Sequence, residues 1–323
     1  MCGRTACTLD AETLKCVCGY KDATGRYRKA EWQSRENAGR DYQLSYNIAP
    51  TDVIACVVAG EHFDTEQERV LYPMIWGMIP PYHKGDYRKH NLSTHNCRVE
   101  GMRSSKLYST PLNKGFRCVV VCTGYFEWEK TKEPKQPYFF HAPQREGVNL
   151  TEIHKDSSKW TEKNGWEGVQ LLKLAGIFNA WKSDDGHIIY SCTIITMEAN
   201  KVVSWMHKRC PAILQTEDDV SAWLDFKRVP LSDAVQLLRG PTEDTLKWYP
   251  VGTAVNNSRY KDEDCIQPIK LKEKKESGAA GLMASWLNSS SQTASKRRST
   301  DDVEGGERTG KSEVKRAKKD QRG

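Results

Sequence analysis

The chain begins Met-Cys-Gly-Arg, which places a thiol directly after the first methionine. A small residue at position 2 usually permits removal of that methionine, so we expect Cys2 to carry both a free α-amine and a thiol. The amine titrates near pH ~8 and the thiol near pH ~8.5, so each has a reactive fraction at physiological pH. Such a pair condenses with an aldehyde, first to a Schiff base and then to a five-membered thiazolidine. The alternative is an ordinary buried or frayed cysteine.

Two arginines and an asparagine have a spacing that suits a phosphate-bearing substrate. Asn96 and Arg98 lie two residues apart in the polar stretch STHNCRVE (93–100), and Arg4 lies two residues beyond Cys2. Residues two apart in an extended segment project from the same face. A guanidinium there is suited to a phosphate beside the reacting amine. The alternative is a polar loop with surface cations.

A carboxylate stands inside an aromatic strand pattern, TGYFEWEK (123–130). Alternation predicts that Tyr125, Glu127 and Glu129 share one face, opposite Phe126 and Trp128. A partly desolvated Glu127 would be suited to proton transfer, whereas we expect Glu129 to face solvent.

One histidine follows a helical pattern and precedes an apolar strand. His207 lies in WMHKRCPAIL (205–214), where an imidazole can move protons. The alternative is an inert histidine at a junction between two elements.

The elements that must position these residues are mostly strands. β-Branched apolar runs bounded by turn residues are DVIACVVAG, RVLYPMIWGMIP, FRCVVVCTGYFEWE, QPYFFHA, LLKLAGIFNAW and HIIYSCTIITME. Helical patterns are EANKVVSWMH, EDDVSAWLDF and LSDAVQLLRG. Together they predict an α+β fold with a bent, barrel-like, mainly antiparallel sheet and flanking helices.

Composition divides the chain into one domain at 1–270 and a disordered basic tail at 271–323. Residues 142–168 are polar and aperiodic and predict a surface insertion. Residues 270–323 hold 14 Lys and Arg against 8 Asp and Glu, a net +6 of the chain's +7. Basic clusters at 296–298 and 315–319 predict nuclear import, and the amphipathic 279–289 segment predicts a partner helix.

The composition also excludes several classes of protein. We expect a soluble intracellular protein, because neither a signal peptide nor an apolar run of ~18–20 residues is present. The eleven scattered cysteines have no zinc-site spacing and are expected to be thiols. We expect no metal and no cofactor.

Eight short motifs in order resemble the SRAP family, the SOS-response-associated peptidases, whose eukaryotic members are abasic-site processing proteins. The motifs are MCGR, YNIAPT (46–51), WGMIP (76–80), NCRVE (96–100), GYFEW (124–128), TIITMEAN (193–200), HKRCPAIL (207–214) and VNNSR (255–259). The resemblance covers residues 2–269. Cys210 replaces the methionine of the family's His-x-Arg-Met-Pro motif, a change expected to affect packing only.

The resemblance implies a role for each matched residue. Cys2 is the nucleophile, Asn96 orients it and the opened sugar, Glu127 handles protons at the α-amine, and His207 serves sugar ring opening. The resemblance also places Arg4, Arg98 and Thr196 at positions that contact the DNA backbone or the site, and Lys106 where a phosphate-binding cation is expected. We further expect Asn47 and Trp76 to contact DNA. We expect stacking of a base on Trp76.

The function implied by the resemblance is a self-modifying crosslinking enzyme. It would shield abasic sites in single-stranded DNA through a covalent thiazolidine during replication, acting as a monomer, with fork proteins as partners of the tail. Two alternatives remain open: a thiol (auto)peptidase or related hydrolase or lyase, and a non-covalent reader of modified bases.

Overall fold

The computed structural model of the chain describes residues 3–33, 37, 39–63, 65–129, 135–151 and 157–271. One compact unit ends at Leu271. Cys2 and, apart from Leu271, the predicted tail with its basic clusters therefore lie outside the described residues.

Strands dominate this part of the chain. Within it the strands are β1 (Thr5–Cys7), β2 (Tyr20–Lys21), β3 (Tyr27–Arg28), β4 (Glu31–Trp32), β5 (Ser45–Ile48), β6 (Val53–Ala59), β7 (Arg69–Trp76), β8 (Asn96–Arg98), β9 (Arg117–Cys122), β10 (Gly124–Trp128), β11 (Pro137–His141), β12 (Trp160–Thr161), β13 (Gly165–Trp166), β14 (Leu172–Lys182), β15 (Ile188–Glu198), β16 (Arg209–Pro211) and β17 (Lys247–Pro250). The helices of the same residues are short: α1 (Ala11–Val17), α2 (Ser109–Asn113), α3 (Glu217–Leu224) and α4 (Leu231–Gln236). Single 3₁₀ turns occur at Gly60–His62, Tyr87–Lys89, Ser157–Lys159, Thr253–Asn256 and Glu263–Ile266.

The larger sheet closes into a barrel. Its order is β16-β15-β14-β9-β6-β7-β4, and β15 also pairs with β7, so β15, β14, β9, β6 and β7 form a closed ring. The neighbours around the ring are antiparallel except for the parallel pair β15–β7. Strands β6, β7 and β9 are buried along their whole length, as their continuous apolar sequences predict. The prediction of an α+β fold with a barrel-like sheet is confirmed.

A second, antiparallel sheet has the order β17-β11-β10-β1-β5. The chain passes from the barrel to this sheet at Thr123, between β9 and β10. The Thr123 hydroxyl accepts the Thr8 N–H at 3.0 Å, and the Thr123 N–H donates to the Ala6 carbonyl at 2.8 Å. A Cβ at Gly124 would lie 2.4 Å from the Phe140 carbonyl oxygen, so only glycine fits where β10 begins.

Two of the three predicted helices form, and one does not. Helix α3 begins with a capping box in which Thr216 and Asp219 bond each other's backbone N–H groups, and α4 follows its predicted pattern. The prediction of a helix at 198–207 is wrong. Glu198 ends β15 and pairs with Arg209 of β16, so the intervening residues form turns.

The segment 142–168 contains more structure than its sequence predicts. Its described residues include the hairpin β12–β13, and the Trp160 ring packs edge-on against Tyr27 with centroids 6.1 Å apart. Leu150 is also buried. The segment is therefore packed against the domain at these points.

No helix within the described ranges is long and apolar enough to cross a membrane.

Candidate active site

Glu127 lies on an aromatic face of the second sheet. Across β10 and β11, Glu127 pairs with Tyr138 and Tyr125 pairs with Phe140, and directly paired side chains share a face. The Tyr125 and Phe140 rings stack with centroids 5.0 Å apart. Glu127 itself is 7% exposed. The predicted alternation is confirmed, and the carboxylate is largely removed from water.

The prediction that Glu129 faces solvent is wrong, because the residue is buried. Its backbone N–H continues the β10–β11 ladder by donating to the Gln136 carbonyl at 3.0 Å. The backbone pairing of β10 with β11 thus continues to Glu129, although a charged residue was expected to lie outside the buried part of the sheet.

Strand β1 pairs with β10, the strand that carries Glu127. Thr5 pairs with Tyr125, and the Phe126 N–H donates to the Arg4 carbonyl at 2.9 Å. Because the strands are antiparallel, the chain that precedes Thr5 follows β10 in the direction of Glu127. Gly3 is the first described residue of that segment, and Cys2 lies outside the described residues.

Arg4 is held by the chain's last described segment. Its guanidinium donates to Asn47 Oδ1 and to the Val255 carbonyl, both at 2.8 Å, and lies 5.8 Å from the Trp128 ring centroid. Trp128 in turn donates its indole N–H to Asn256 Oδ1 at 2.6 Å. Burial lowers the pKa of Arg4, although an arginine remains charged at neutral pH. Arg4 is therefore a fixed, half-buried cation near the start of β1.

The prediction that Asn47 contacts DNA is wrong, because the side chain is buried. Asn47 is fully buried, and its Nδ2 donates to the carbonyls of Val255, Asn257 and Tyr260 at 3.2, 3.1 and 2.8 Å. Its amide oxygen accepts from Arg4. Asn47 thus joins β5 to residues 255–260 and positions Arg4.

Replacing Asn47 by alanine is expected to lower the free energy of unfolding by about 2–4 kcal/mol, because several buried polar groups lose their partner together. Denaturant unfolding of the full chain measures this change. Asn164→Ala, at an exposed loop position, is the control and should change the stability by less than about 0.5 kcal/mol. Equal stability of the two variants would contradict the scaffold role.

Asn96 and Arg98 occupy β8, which lies parallel to the end of β15. Ile194 pairs with Asn96 and Thr196 pairs with Arg98. Cys97 between them is buried, whereas Asn96 is half-buried and Arg98 is exposed. The two polar side chains therefore share the face opposite the core, as their spacing predicts. The Tyr108 hydroxyl donates to the Asn96 carbonyl at 3.4 Å, and burial raises the pKa of Tyr108 to about 12.

Thr196 is fully buried, which corrects its prediction as a DNA contact. Its hydroxyl donates to the Cys97 carbonyl at 3.4 Å, and its backbone pairs with β8 on one side and with Pro211 of β16 on the other. Thr196 is therefore the point on β15 that brings the Asn96 and His207 segments together.

The histidine is fixed in one tautomer by its own turn. His207 Nδ1 accepts the Arg209 backbone N–H at 2.9 Å, so in the neutral ring the proton lies on Nε2. Nε2 is then the ring atom that can donate to a sugar oxygen.

Arg209 is a positioning residue that sequence reasoning did not single out, although it is part of the HKRCP motif. Its guanidinium binds both carboxylate oxygens of Glu100, at 2.6 and 2.9 Å, and donates to the Thr196 carbonyl at 2.6 Å. The guanidinium lowers the pKa of Glu100. Arg209 thereby joins β16, β15 and the residues after β8, and the Glu100 charge is compensated.

Trp205 connects this turn to the Glu127 face. Its ring packs edge-on against Tyr138, the cross-strand partner of Glu127, with centroids 5.3 Å apart. The turn that carries His207 therefore packs on the aromatic face that carries Glu127, and β15 brings β8 beside the same turn.

Of the remaining predicted DNA contacts, Lys106 is exposed and Trp76 is not. Lys106 follows β8 in an exposed turn that also carries Arg103, a cation that the motifs did not indicate. Trp76 is fully buried, and its indole N–H donates to the His95 carbonyl at 2.9 Å. The prediction that a base stacks on Trp76 is therefore wrong.

All ten described cysteines are free and buried. Burial raises the pKa of Cys18 and of Cys97 to about 12. No group of three or more His, Cys, Asp or Glu side chains in the described ranges is placed to hold a metal ion.

Comparison with known proteins identifies relatives over most of the chain. The family profile of the SOS response associated peptidases (SRAP) matches residues 1–258. Abasic site processing protein HMCES of Gallus gallus is 40% identical over 298 residues, which are 90% of this chain and 85% of that protein. The Xenopus tropicalis protein of the same name is 37% identical, over 90% of this chain and 86% of its own. The Saccharomyces cerevisiae abasic site processing protein YMR114C is 27% identical, over 84% of this chain and 69% of its own.

Solved structures show the same fold at low sequence identity. A crystal structure of a Bacteroides thetaiotaomicron protein superposes with a TM-score of 0.59 at 17% identity, over 83% of this chain and all of that one. From the profile match and the vertebrate relatives, the chain belongs to the SOS response associated peptidase (SRAP) family.

Proposed function

We propose that this protein processes abasic sites in single-stranded DNA by joining itself to the opened sugar through Cys2. The names of the vertebrate, yeast and Bacillus subtilis relatives support abasic sites as the target. The observation that carries the covalent step is the pairing of β1 with β10, in which Thr5 lies opposite Tyr125. The preceding Arg4 carbonyl accepts the Phe126 N–H, so that the chain runs back from Thr5 in the direction of Glu127. Cys2 directly precedes Gly3 in the sequence.

The proposed chemistry is a condensation that releases one water. The neutral α-amine attacks C1′ of the aldehyde, and the carbinolamine loses its hydroxyl as water to leave a Schiff base. The thiol sulfur then adds to the imine carbon, and its proton passes to the nitrogen, which closes the thiazolidine. No electrons are exchanged. Because the ring has no iminium to drive β-elimination, the DNA strand stays intact.

Three side chains serve this sequence. Glu127 accepts the ammonium proton so that the amine becomes nucleophilic, and returns a proton on reversal. His207, with its proton on Nε2, assists opening of the closed sugar. Asn96, on the half-buried face of β8, orients the cysteine and the opened sugar.

The test is incubation of the full chain with single-stranded DNA that contains one abasic site, followed by intact mass measurement and a heat-denaturing gel. The free protein is expected to have lost Met1. The adduct is expected at the summed mass of protein and DNA less one water, with the DNA uncut. Cleaved DNA with no adduct would favour a lyase, and release of a peptide would favour the peptidase alternative.

DNA affinity is expected to depend on Arg98 and Lys106, which are exposed on β8 and the turn after it. Arg98→Ala or Lys106→Ala should weaken binding similarly for all sequences. Each should also reduce the slope of log affinity against log salt by about 0.7 for every phosphate that the variant no longer neutralises. Fluorescence anisotropy at several salt concentrations measures both effects.

The control for these cations is Lys227→Ala, which removes an exposed cation that pairs with Glu61 near α3. It should leave affinity and slope unchanged. The same weakening for all three variants would indicate a general charge effect rather than a patch at β8.

Localisation and partners of the tail stay predictions. We propose nuclear import through residues 296–298 and 315–319, fork proteins as partners of the tail, and a monomer as the DNA-binding form.

A further inference from the structure

Trp205 exposes aromatic surface beside the candidate site. Trp205 is 41% exposed, whereas Tyr138 and Phe140, on which its ring packs, are buried. Met206, the next residue, is also buried, and His207 follows. The exposed indole therefore lies two residues before His207 in the chain.

The indole is held in place by aromatic rings from two strands. Its centroid lies 5.3 Å from Tyr138, 5.8 Å from Trp248 and 6.5 Å from Phe140. Its N–H donates to the Val202 carbonyl at 3.0 Å. With the polar edge bonded within its own turn and the ring supported from below, little conformational entropy remains to be lost when a ligand covers the outer face.

The supporting rings are continuous with the face that carries Glu127. Phe140 pairs with both Tyr125 and Trp248, and Tyr138 pairs with Glu127 itself. Trp205 therefore caps this aromatic face beside the carboxylate, because it packs on Tyr138, the cross-strand partner of Glu127. A strand of DNA with its abasic sugar near Glu127 would pass its neighbouring nucleotide over this cap.

The charges around Trp205 suit a polyanion. Residues 199–208 contain Lys201 and Lys208, both exposed, and no Asp or Glu, whereas the charge of Arg209 is compensated by Glu100. Flat aromatic surface flanked by cations is the arrangement by which proteins bind single-stranded nucleic acid without reading its sequence.

From this arrangement we infer that Trp205 is a stacking platform for a nucleobase next to the abasic site in single-stranded DNA. The inference rests on the proposed function for the identity of the ligand. It assigns to this turn the aromatic contact that buried Trp76 does not provide. A base stacked there would hold the strand while the sugar reacts.

The experiment compares two probes that carry no aldehyde, so it is independent of the crosslink. One is a thymidine oligonucleotide, and the other is a strand of equal length made only of tetrahydrofuran spacers, which has the phosphates but no bases. Trp205→Leu in the full chain should bind the thymidine strand about 5- to 150-fold more weakly than wild type. It should bind the base-free strand equally well, with an unchanged salt slope on both. Trp205→Phe, which keeps a ring, should retain most of the affinity.

Ile188→Ala is the control for removal of exposed apolar surface. Ile188 is 48% exposed at the start of β15, separated from Thr196 by about 26 Å of extended strand, and its replacement should affect neither probe. Equal affinity of wild type and Trp205→Leu for the thymidine strand overturns the inference. An equal weakening on both probes also overturns it, because the effect would not depend on bases. A base-dependent weakening without any crosslinking would overturn the proposed function alone.

Discussion

Replacing Cys2 by alanine is expected to abolish the heat-stable adduct with abasic single-stranded DNA. The alanine variant keeps an α-amine, so it can still form a Schiff base, but no thiol remains to close the ring. The imine hydrolyses on heating, whereas a reducing agent such as cyanoborohydride converts it to a stable amine. The denaturing gel should therefore show an adduct for Cys2→Ala only after reduction, and for wild type with or without it.

Two further variants sharpen this test. Cys2→Ser should behave like the alanine variant, since a hydroxyl adds to the imine much less effectively than a thiol. Cys16→Ala removes a buried thiol from α1 and should crosslink like wild type. A stable adduct formed by Cys2→Ala without reduction would show that the proposed thiazolidine is wrong.

The second large effect distinguishes the roles of Glu127 and His207, because their variants should depend differently on pH and on the substrate. About 1% of an amine with a pKa near 8 is neutral at pH 6, and about half is neutral at pH 8. Without the carboxylate, the crosslinking rate of Glu127→Gln should be proportional to the neutral fraction of the α-amine. Its rate is therefore expected to be far below wild type at pH 6 and to recover by roughly 50-fold towards pH 8. Glu146→Gln, at an exposed position, is the control and should match wild type at every pH.

His207→Ala is expected to act on the ring-opening step instead. It should slow crosslinking to a natural abasic site by about 10²–10⁴-fold, the usual contribution of a positioned acid or base. It should matter little for an open-chain aldehyde in the same strand, which has no ring to open. Time courses on both substrates across pH 6–9 measure the two effects. Equal slowing on both substrates without recovery at high pH would assign both residues to folding alone.

The strands could be predicted from the sequence wherever one continuous apolar run forms one element, as in β6, β7 and β14. The run from 116 to 129 instead divides between two sheets. The division depends on Thr123, whose hydrogen bonds reach Thr8 and Ala6 more than a hundred residues away. The helical pattern at 198–207 failed for a similar reason, since the pairing of β15 with β16 outweighs the local preference for a helix.

The chemistry of the candidate site could be predicted from the sequence, whereas the solvent exposure of several of its residues could not. Motif order and strand alternation placed Glu127, Asn96 and Arg98 on consistent faces. Burial of Asn47 could not be predicted, because an amide suits DNA and a cluster of buried carbonyls equally. The carbonyls to which Asn47 donates lie more than two hundred residues away in the chain. The role of Trp205 was not readable either, because its support comes from β11 and β17, which no local pattern connects to it.

The ten buried thiols of the described residues can report on local opening of the folded protein. An alkylating agent can reach each of these sulfurs only when the structure around it opens, so the labelling rate at each position gives a local opening free energy. Cys56 and Cys192, whose sulfurs lie 3.6 Å apart, sense the barrel strands β6 and β15. The labelling rates of Cys16 and Cys18 report on the opening of helix α1 and its C-cap. Mass spectra of the alkylated protein, recorded over time, would therefore show which parts of the domain open first.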